Sequence, residues 1–183
     1  MNRQEALGLV REKVVNRNLV NHMLAVEAIM RRLARHFGED EERWGMAGLL
    51  HDVDYEMTKD DPERHSLVSG QMVQDLGFDV EIVEAVKAHN ERHGLPRTTL
   101  MSKALYSCDP LSGLIVAAAL IRPEKKLAPV DAKFVLNRFG EKSFAKGANR
   151  EIIKSCSELG LSLEEFLGLG LEAMQGIAGS IGL

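Results

Sequence analysis

A histidine followed directly by an aspartate closes the apolar run Ala47-Gly48-Leu49-Leu50-His51-Asp52 and brings a neutral imidazole and a hard carboxylate to one point of the chain. Imidazole nitrogens and carboxylate oxygens together suit iron, manganese, cobalt, nickel or zinc. The partners such a pair needs lie on either side: His22 upstream, then His65, His89 and Asp109 downstream, each within or beside a stretch of helical periodicity. No thiolate belongs to this set, which argues against a structural zinc centre. Six donors exceed what one catalytic ion with an open position uses, but they suit two divalent ions bridged by a carboxylate, and Asp52 is the natural bridge. Two ions roughly 3.5–4 Å apart can clamp a substrate oxygen and draw the pKa of a shared water towards neutrality, giving a hydroxide that attacks phosphorus. The chemistry expected is hydrolysis of a phosphate ester, with Asp52 as the central catalytic residue.

Taken singly, His22, His65 and His89 read as ordinary hydrogen-bonded residues of amphipathic helices. In this order around His51-Asp52 they read as ligands. His36, at a helix end where positive charge is favoured, and His93, in a polar loop with Glu91 and Arg92, are read as surface groups, His93 with a substrate-side role as the alternative. Asp109 is read as a ligand although an aspartate before Pro110 also suits a turn; Asp54 is read as a group standing behind the ligands, with loop capping as the alternative. Tyr55, Glu56 and Lys59 are assigned to the loop surface. Arg92, Lys103 and Arg122 are the candidates for binding further phosphate, since guanidinium and ammonium groups pair with anionic oxygens.

Helical periodicity runs through almost the whole chain, and alternating Val, Ile and Thr stretches are absent, so an all-helical fold is expected. A first helix spans about Arg3 to Val15. A longer one, capped by Asn18, carries His22, Val26, Ile29 and Leu33 to a stop at Gly38. A third, about Glu41 to Leu50, delivers His51-Asp52 at its end. Asp61-Pro62 reads as the start of the helix that contains His65, Leu67, Val68 and Met72 and ends at Gly77, and Asp79 caps a shorter one leading to His89. Thr98 or Thr99 opens the helix that carries Asp109, with a kink expected at Pro110. Three more helical stretches follow, about Val130 to Arg138, Ala148 to Leu159, and Leu163 to Ile181, the last opened by the capping-box pattern Ser162-Leu163-Glu164-Glu165.

The length of 183 residues suits one domain, able to bury roughly 70% of its unfolded surface. With 23 Lys+Arg against 27 Asp+Glu the net charge is -4, which offers no basic footprint for long DNA or RNA. Cys108 and Cys156 form no CxxC, so a reducing cytoplasm is the expected setting. Acidic Glu5 appears at once in Met1-Asn2-Arg3-Gln4-Glu5, unlike a secretion signal. The apolar stretch Leu111 to Ile121 is about half of the roughly 20 residues a membrane span needs and reads as a buried helix.

The residues His22, His51-Asp52, His65, His89 and Asp109, in that order, resemble the HD-domain superfamily of metal-dependent phosphohydrolases, in particular its small single-domain members with the HDIG-type motif. The resemblance covers about Leu19 to Pro123, and the tail is similar to the C-terminal part of small predicted HD hydrolases. It implies that His22, His51, Asp52 and Asp109 hold a first ion. It also implies that His65, in Glu63-Arg64-His65-Ser66, and His89, in Lys87-Ala88-His89-Asn90, hold a second ion with bridging Asp52, as in binuclear members. The arrangement resembles both the bacterial symmetrical diadenosine-tetraphosphate hydrolases and the mixed-valent di-iron oxygenases of the superfamily. Here the dyad reads His-Asp-Val-Asp rather than His-Asp-Ile-Gly. Asn90 stands where cyclic-di-GMP phosphodiesterases carry an adjacent histidine, and their Gly-Tyr-Pro signature is missing, so that activity is disfavoured. The longer (p)ppGpp hydrolases and deoxynucleoside triphosphohydrolases, usually mononuclear, are weaker matches.

The expectation is therefore a single HD-type domain over residues 1–183, with its motif-bearing core at about 19–123 and a helical extension at about 124–183. It would be a cytoplasmic, all-α, binuclear phosphohydrolase with two divalent transition-metal ions, acting on a small phosphorylated substrate such as a nucleotide or dinucleotide. A di-iron oxygenase and a non-catalytic, metal-stabilised ligand-binding domain are the alternatives.

Overall fold

The computed structural model describes all 183 residues, and every regular element in it is helical. Helix α1 (Arg3–Lys13) opens on a capping box between Asn2 and Glu5. The cap of helix α2 (Arg17–Phe37) lies two residues earlier than expected: Asn16, not Asn18, occupies it and accepts the Asn18 N–H. It stops at Gly38, whose φ of 73° is the left-handed conformation that closes a helix at little cost only in glycine.

Asp40 caps α3 (Glu41–Leu50), and a short α4 (Tyr55–Thr58) follows the His51-Asp52 pair. Helix α5 (Leu67–Asp75) corrects the expected start at Asp61-Pro62: residues 62–66 form a turn, and His65 lies in that turn. The cause is not local. The side chain that accepts the Ser66 and Ser69 N–H groups, at 2.9 and 3.0 Å, is Asp54, more than ten residues upstream. Asp79 caps α6 (Val80–Ala88), and Thr99 caps α7 (Leu100–Leu120), which runs unbroken through Pro110.

The last third holds α8 (Ala132–Phe139) and α9 (Arg150–Lys154), the latter continued by a 3₁₀ segment to Leu159. Helix α10 (Leu163–Gly176) opens on the Ser162/Glu165 capping box. The single closing helix expected to reach Ile181 is interrupted at Ile177, after which the short α11 (Ala178–Ile181) begins. One contiguous apolar core reaches from Ala6 to Ile181, and α2, α3 and α7 contribute most of its largest wholly buried side chains, among them Met23, Ile29, Met30, Leu33, Trp44, Leu105 and Leu111, with Phe166 added from the C-terminal third. No helix is long and apolar enough to cross a membrane.

Where α2 and α3 cross, Gly48 sets the spacing. A Cβ there would stand 2.9 Å from the Glu27 Cα and N and from the Val26 carbonyl oxygen, all backbone atoms that cannot rotate aside. Gly48→Ala is therefore expected to lower unfolding free energy by about 2–3 kcal/mol, as overpacked cores do, and to weaken metal uptake by moving His51 away from His22. Urea denaturation and metal titration check both; unchanged values would mean the crossing tolerates a wider gap.

Candidate metal centre

Helix α2 brings His22 to the site, the C-terminal end of α3 brings His51 and Asp52, the turn before α5 brings His65, the end of α6 brings His89, and α7 brings Asp109. Every imidazole has its Nδ1 engaged away from the centre. His51 and His89 each close a helix, so Nδ1–H donates back to the carbonyl three residues earlier, Gly48 and Val86, at 2.7 Å in both cases. His65 donates to Asp54 Oδ1 at 3.0 Å. The Ser112 hydroxyl donates to the Asp109 carbonyl at 2.9 Å, so it receives the His22 Nδ1–H, also at 2.9 Å. With Nδ1 spent as a donor, each Nε2 offers its lone pair inward.

Asp52 lies in the middle. Its Oδ2 is 3.5 Å from His22 Nε2 and 3.4 Å from His51 Nε2, while its Oδ1 is 3.4 Å from His65 Nε2 and 3.3 Å from His89 Nε2. Asp109 Oδ1 is 3.2 Å from His22 Nε2, which is 3.2 Å from His51 Nε2. The donors thus fall into two sets about one carboxylate. His22 and His51 face Oδ2, with Asp109 beside His22; His65 and His89 face Oδ1.

Two observations say that this arrangement wants cations. Asp52 Oδ1 is buried and receives no hydrogen bond, which is costly for a carboxylate oxygen. The ligand atoms of His22, His51 and Asp109 lie within 4.8 Å of one another, as do those of His51, Asp52 and His89. Donors about 2.1 Å from a shared ion stand roughly 3.0–3.4 Å apart, the spacing found here. The residues present could hold one divalent ion in each set.

Protons take the place of ions when metal is withheld. Burial alone would push the His22 imidazole down, but its hydrogen bonds to Asp109 and Asp52 outweigh burial and raise it to about 10. His89 is likewise raised: burial opposes its charge, and Asp52 overcomes it. Asp52 and Asp109 are lowered, the imidazoles overriding the effect of burial. A histidine raised above its unfolded 6.5 contributes stability that is complete below pH 6.5 and is lost as pH climbs towards 10. Metal ligation needs the neutral imidazole, so it reverses that trend. The chelated protein should therefore lose Tm between pH 6.5 and 10 while the gap to the metal-loaded protein widens; parallel Tm curves would contradict the ligand assignment.

Further groups stand behind the ligands. Asp54, fully buried, is the group that fixes the His65 ring, and its other oxygen holds the Ser66 and Ser69 amides. His93 is not on the surface alone: its ring accompanies the Asn90 amide in donating to the His65 carbonyl, at 2.7 and 3.2 Å, so both brace the turn. Tyr55 packs edge-on against His65. His36 is exposed beside Phe37. Ser112 could have been suspected from its place one helical turn beyond Asp109.

His22 and Asp109, 3.2 Å apart and the most exposed of the six donors, each border a separate cavity. A pocket of about 480 Å³ includes His22 and Ser112, and a groove of about 700 Å³ includes Asp109 and Pro110. Arg92, Lys103 and Arg122 line neither. Arg92 pairs with Glu63 at 3.2 Å, and Arg122 faces Glu124 and the Phe134 ring. The lysines at the groove, Lys142 and Lys146, come from the segment between α8 and α9, where apolar periodicity carries no sign of a site.

The chain is 29% identical over 103 residues to Ribonuclease Y of Lawsonia intracellularis, covering 56% of this chain and 20% of the relative. It is 28% identical over 98 residues to Ribonuclease Y of Oleidesulfovibrio alaskensis, covering 54% and 18%. It is also 27% identical over 152 residues to Ribonuclease Y of Desulfotalea psychrophila, covering 80% and 28%. The chain therefore spans 18–28% of the length of these curated relatives. The family model of the HD domain matches residues 19–120, from just before His22 to the end of the helix that carries Asp109, and the chain belongs to that family.

Proposed function

We propose that this HD domain is a two-metal phosphohydrolase acting on a phosphate ester or anhydride of a small molecule, a nucleotide or dinucleotide. The observation that carries the reading is Asp52: a buried carboxylate with two imidazole Nε2 atoms before each oxygen and no hydrogen bond to Oδ1. Divalent ions in the two donor sets would lower the pKa of a water and neutralise phosphoryl oxygens, which is the chemistry of in-line phosphoester hydrolysis.

The chain's own residues do the rest. Asp52 holds the two sets at one separation, and Asp54, Ser112 and the Gly48 and Val86 carbonyls fix the rings so that no reorientation is needed at the moment of reaction. His22 and Asp109, whose side chains are 23% and 32% exposed, form the edge a phosphoryl group can approach. Membership of the HD family and the name of the relatives, Ribonuclease Y, support phosphoester chemistry. The net charge of -4 favours a small substrate over a long polyanion.

The test is phosphate release from a panel of nucleoside mono-, di- and triphosphates, dinucleoside polyphosphates and short RNA, by protein loaded anaerobically with Mn, Fe, Co, Ni or Zn. Release that disappears on chelation and returns with metal is expected. No release by protein shown to be metal-replete would refute the proposal, and oxygen uptake by the iron-loaded form would put a di-iron oxygenase in its place.

A further inference from the structure

We infer that the metal centre is the middle of a two-armed cleft, and that its substrate carries an apolar ring on one side of the reacting phosphorus and a second anionic group on the other. The inference rests on the phosphohydrolase reading and names its substrate class.

The anionic arm is the groove beside Asp109. Lys142 and Lys146 line it, and neither has a carboxylate within 4.0 Å, whereas the nearby cations Arg138 and Lys154 are paired with Glu141 and Glu151. Two carboxylates also border the groove: Glu151 is committed to Lys154, and Glu91 is exposed. The lysines stand on a segment that lacks regular helix but is not loose. Arg150 donates to the carbonyls of Phe139, Phe144, Ala145 and Ala148 at 2.6–3.1 Å, tying both ends of the segment to one guanidinium. Two uncompensated ammonium groups on a braced wall, across a groove from a metal ligand, suit a phosphate beyond the one being cleaved.

The apolar arm is the pocket that borders His22, the ligand 3.2 Å from Asp109. Val116, Leu120 and Ile181 wall the pocket that reaches His22, and Asn18 and the Asn21 amide oxygen, its NH₂ donating to the Ile181 carbonyl at 3.2 Å, are available to the heteroatoms of a ring. Gly113 borders it, and a Cβ at that position would meet nothing within 4 Å, so a larger residue there starts in open space rather than in the core. A nucleoside diphosphate has the required form: base in the pocket, first phosphorus at the His22–Asp109 edge, second phosphate on the lysines.

Calorimetry on the metal-loaded protein tests this with adenosine 5′-(α,β-methylene)diphosphate, adenosine 5′-monophosphate and methylenediphosphonate. The double variant Lys142→Ala/Lys146→Ala should weaken the diphosphate analogue by roughly tenfold or more, with little change for the monophosphate, because charge-assisted bonds to the second phosphate are lost. Gly113→Leu should weaken both nucleosides about tenfold and leave methylenediphosphonate unchanged, since only the ring is displaced. Variants that shift all three ligands alike, or none, would overturn the inference, as would a wild-type protein that binds none of them. Phosphate release from ADP, followed in parallel, separates the two claims: the binding pattern without release keeps the cleft and removes the hydrolase, and release without the pattern does the reverse.

Discussion

Replacing Asp52 with alanine should leave a folded protein that has lost tight binding of at least one of its two ions and releases phosphate at the background rate, a fall of roughly 10³-fold or more. The size follows from the position of the carboxylate. It is the one group that faces both donor sets, with Oδ2 before His22 and His51 and Oδ1 before His65 and His89 at 3.3–3.5 Å. Removing it leaves imidazoles with no shared anion to hold two dications together. It also removes the main source of the raised His89 imidazole and one source of the raised His22, so the chelated variant should show a flatter Tm profile between pH 6.5 and 10 than the chelated parent. Elemental analysis, phosphate release and circular dichroism together decide the matter. A folded variant with two ions and parental turnover would remove Asp52 from the chemistry.

Asp54→Asn should produce the next largest effect, and mostly through stability. The Asp54 carboxylate takes three donors, the His65 Nδ1–H and the Ser66 and Ser69 N–H groups, at 2.9–3.0 Å within a fully buried setting. An asparagine has only one acceptor oxygen, so in either orientation its NH₂ faces a donor. One or two buried donors are left unsatisfied, a loss of about 3 kcal/mol at roughly 1–3 kcal/mol each. The turn that carries His65 depends on the same group, for Ser66 holds a φ of 71°, a conformation rare outside glycine. Affinity for the ion on the His65 side should fall roughly 10–100-fold, the range typical of a group behind a ligand, while the His22–His51–Asp109 set keeps its ion. Urea denaturation and a two-site metal titration check this. Equal weakening of both sites would mean that Asp54 acts on the whole bundle rather than on His65.

These two residues also mark what the sequence could and could not reveal. The His51-Asp52 pair stood out because adjacent donors at the end of an apolar run need no knowledge of the fold, and the resemblance to the HD superfamily gave the remaining donors their meaning. Helices whose ends are set by neighbours in the chain, such as those capped by Asp79, Thr99 and Ser162, were legible for the same reason. Where the stabilising partner is distant, legibility failed. Asp54 sets the start of α5 from more than ten residues away, so Asp61-Pro62 gave a false start. Arg150 shapes residues 139–148 through carbonyls that no pattern of side chains discloses, and the groove lysines were missed with it. The close approach at Gly48 is a contact between backbones, to which periodicity is blind.

The most direct measurement is anomalous diffraction from crystals grown with manganese or iron and no chelator. Two peaks are predicted, roughly 3.5–4 Å apart on either side of Asp52, one beside His22, His51 and Asp109 and the other beside His65 and His89. A single peak in crystals soaked to saturation, or ions bound away from Asp52, would contradict the two-metal centre.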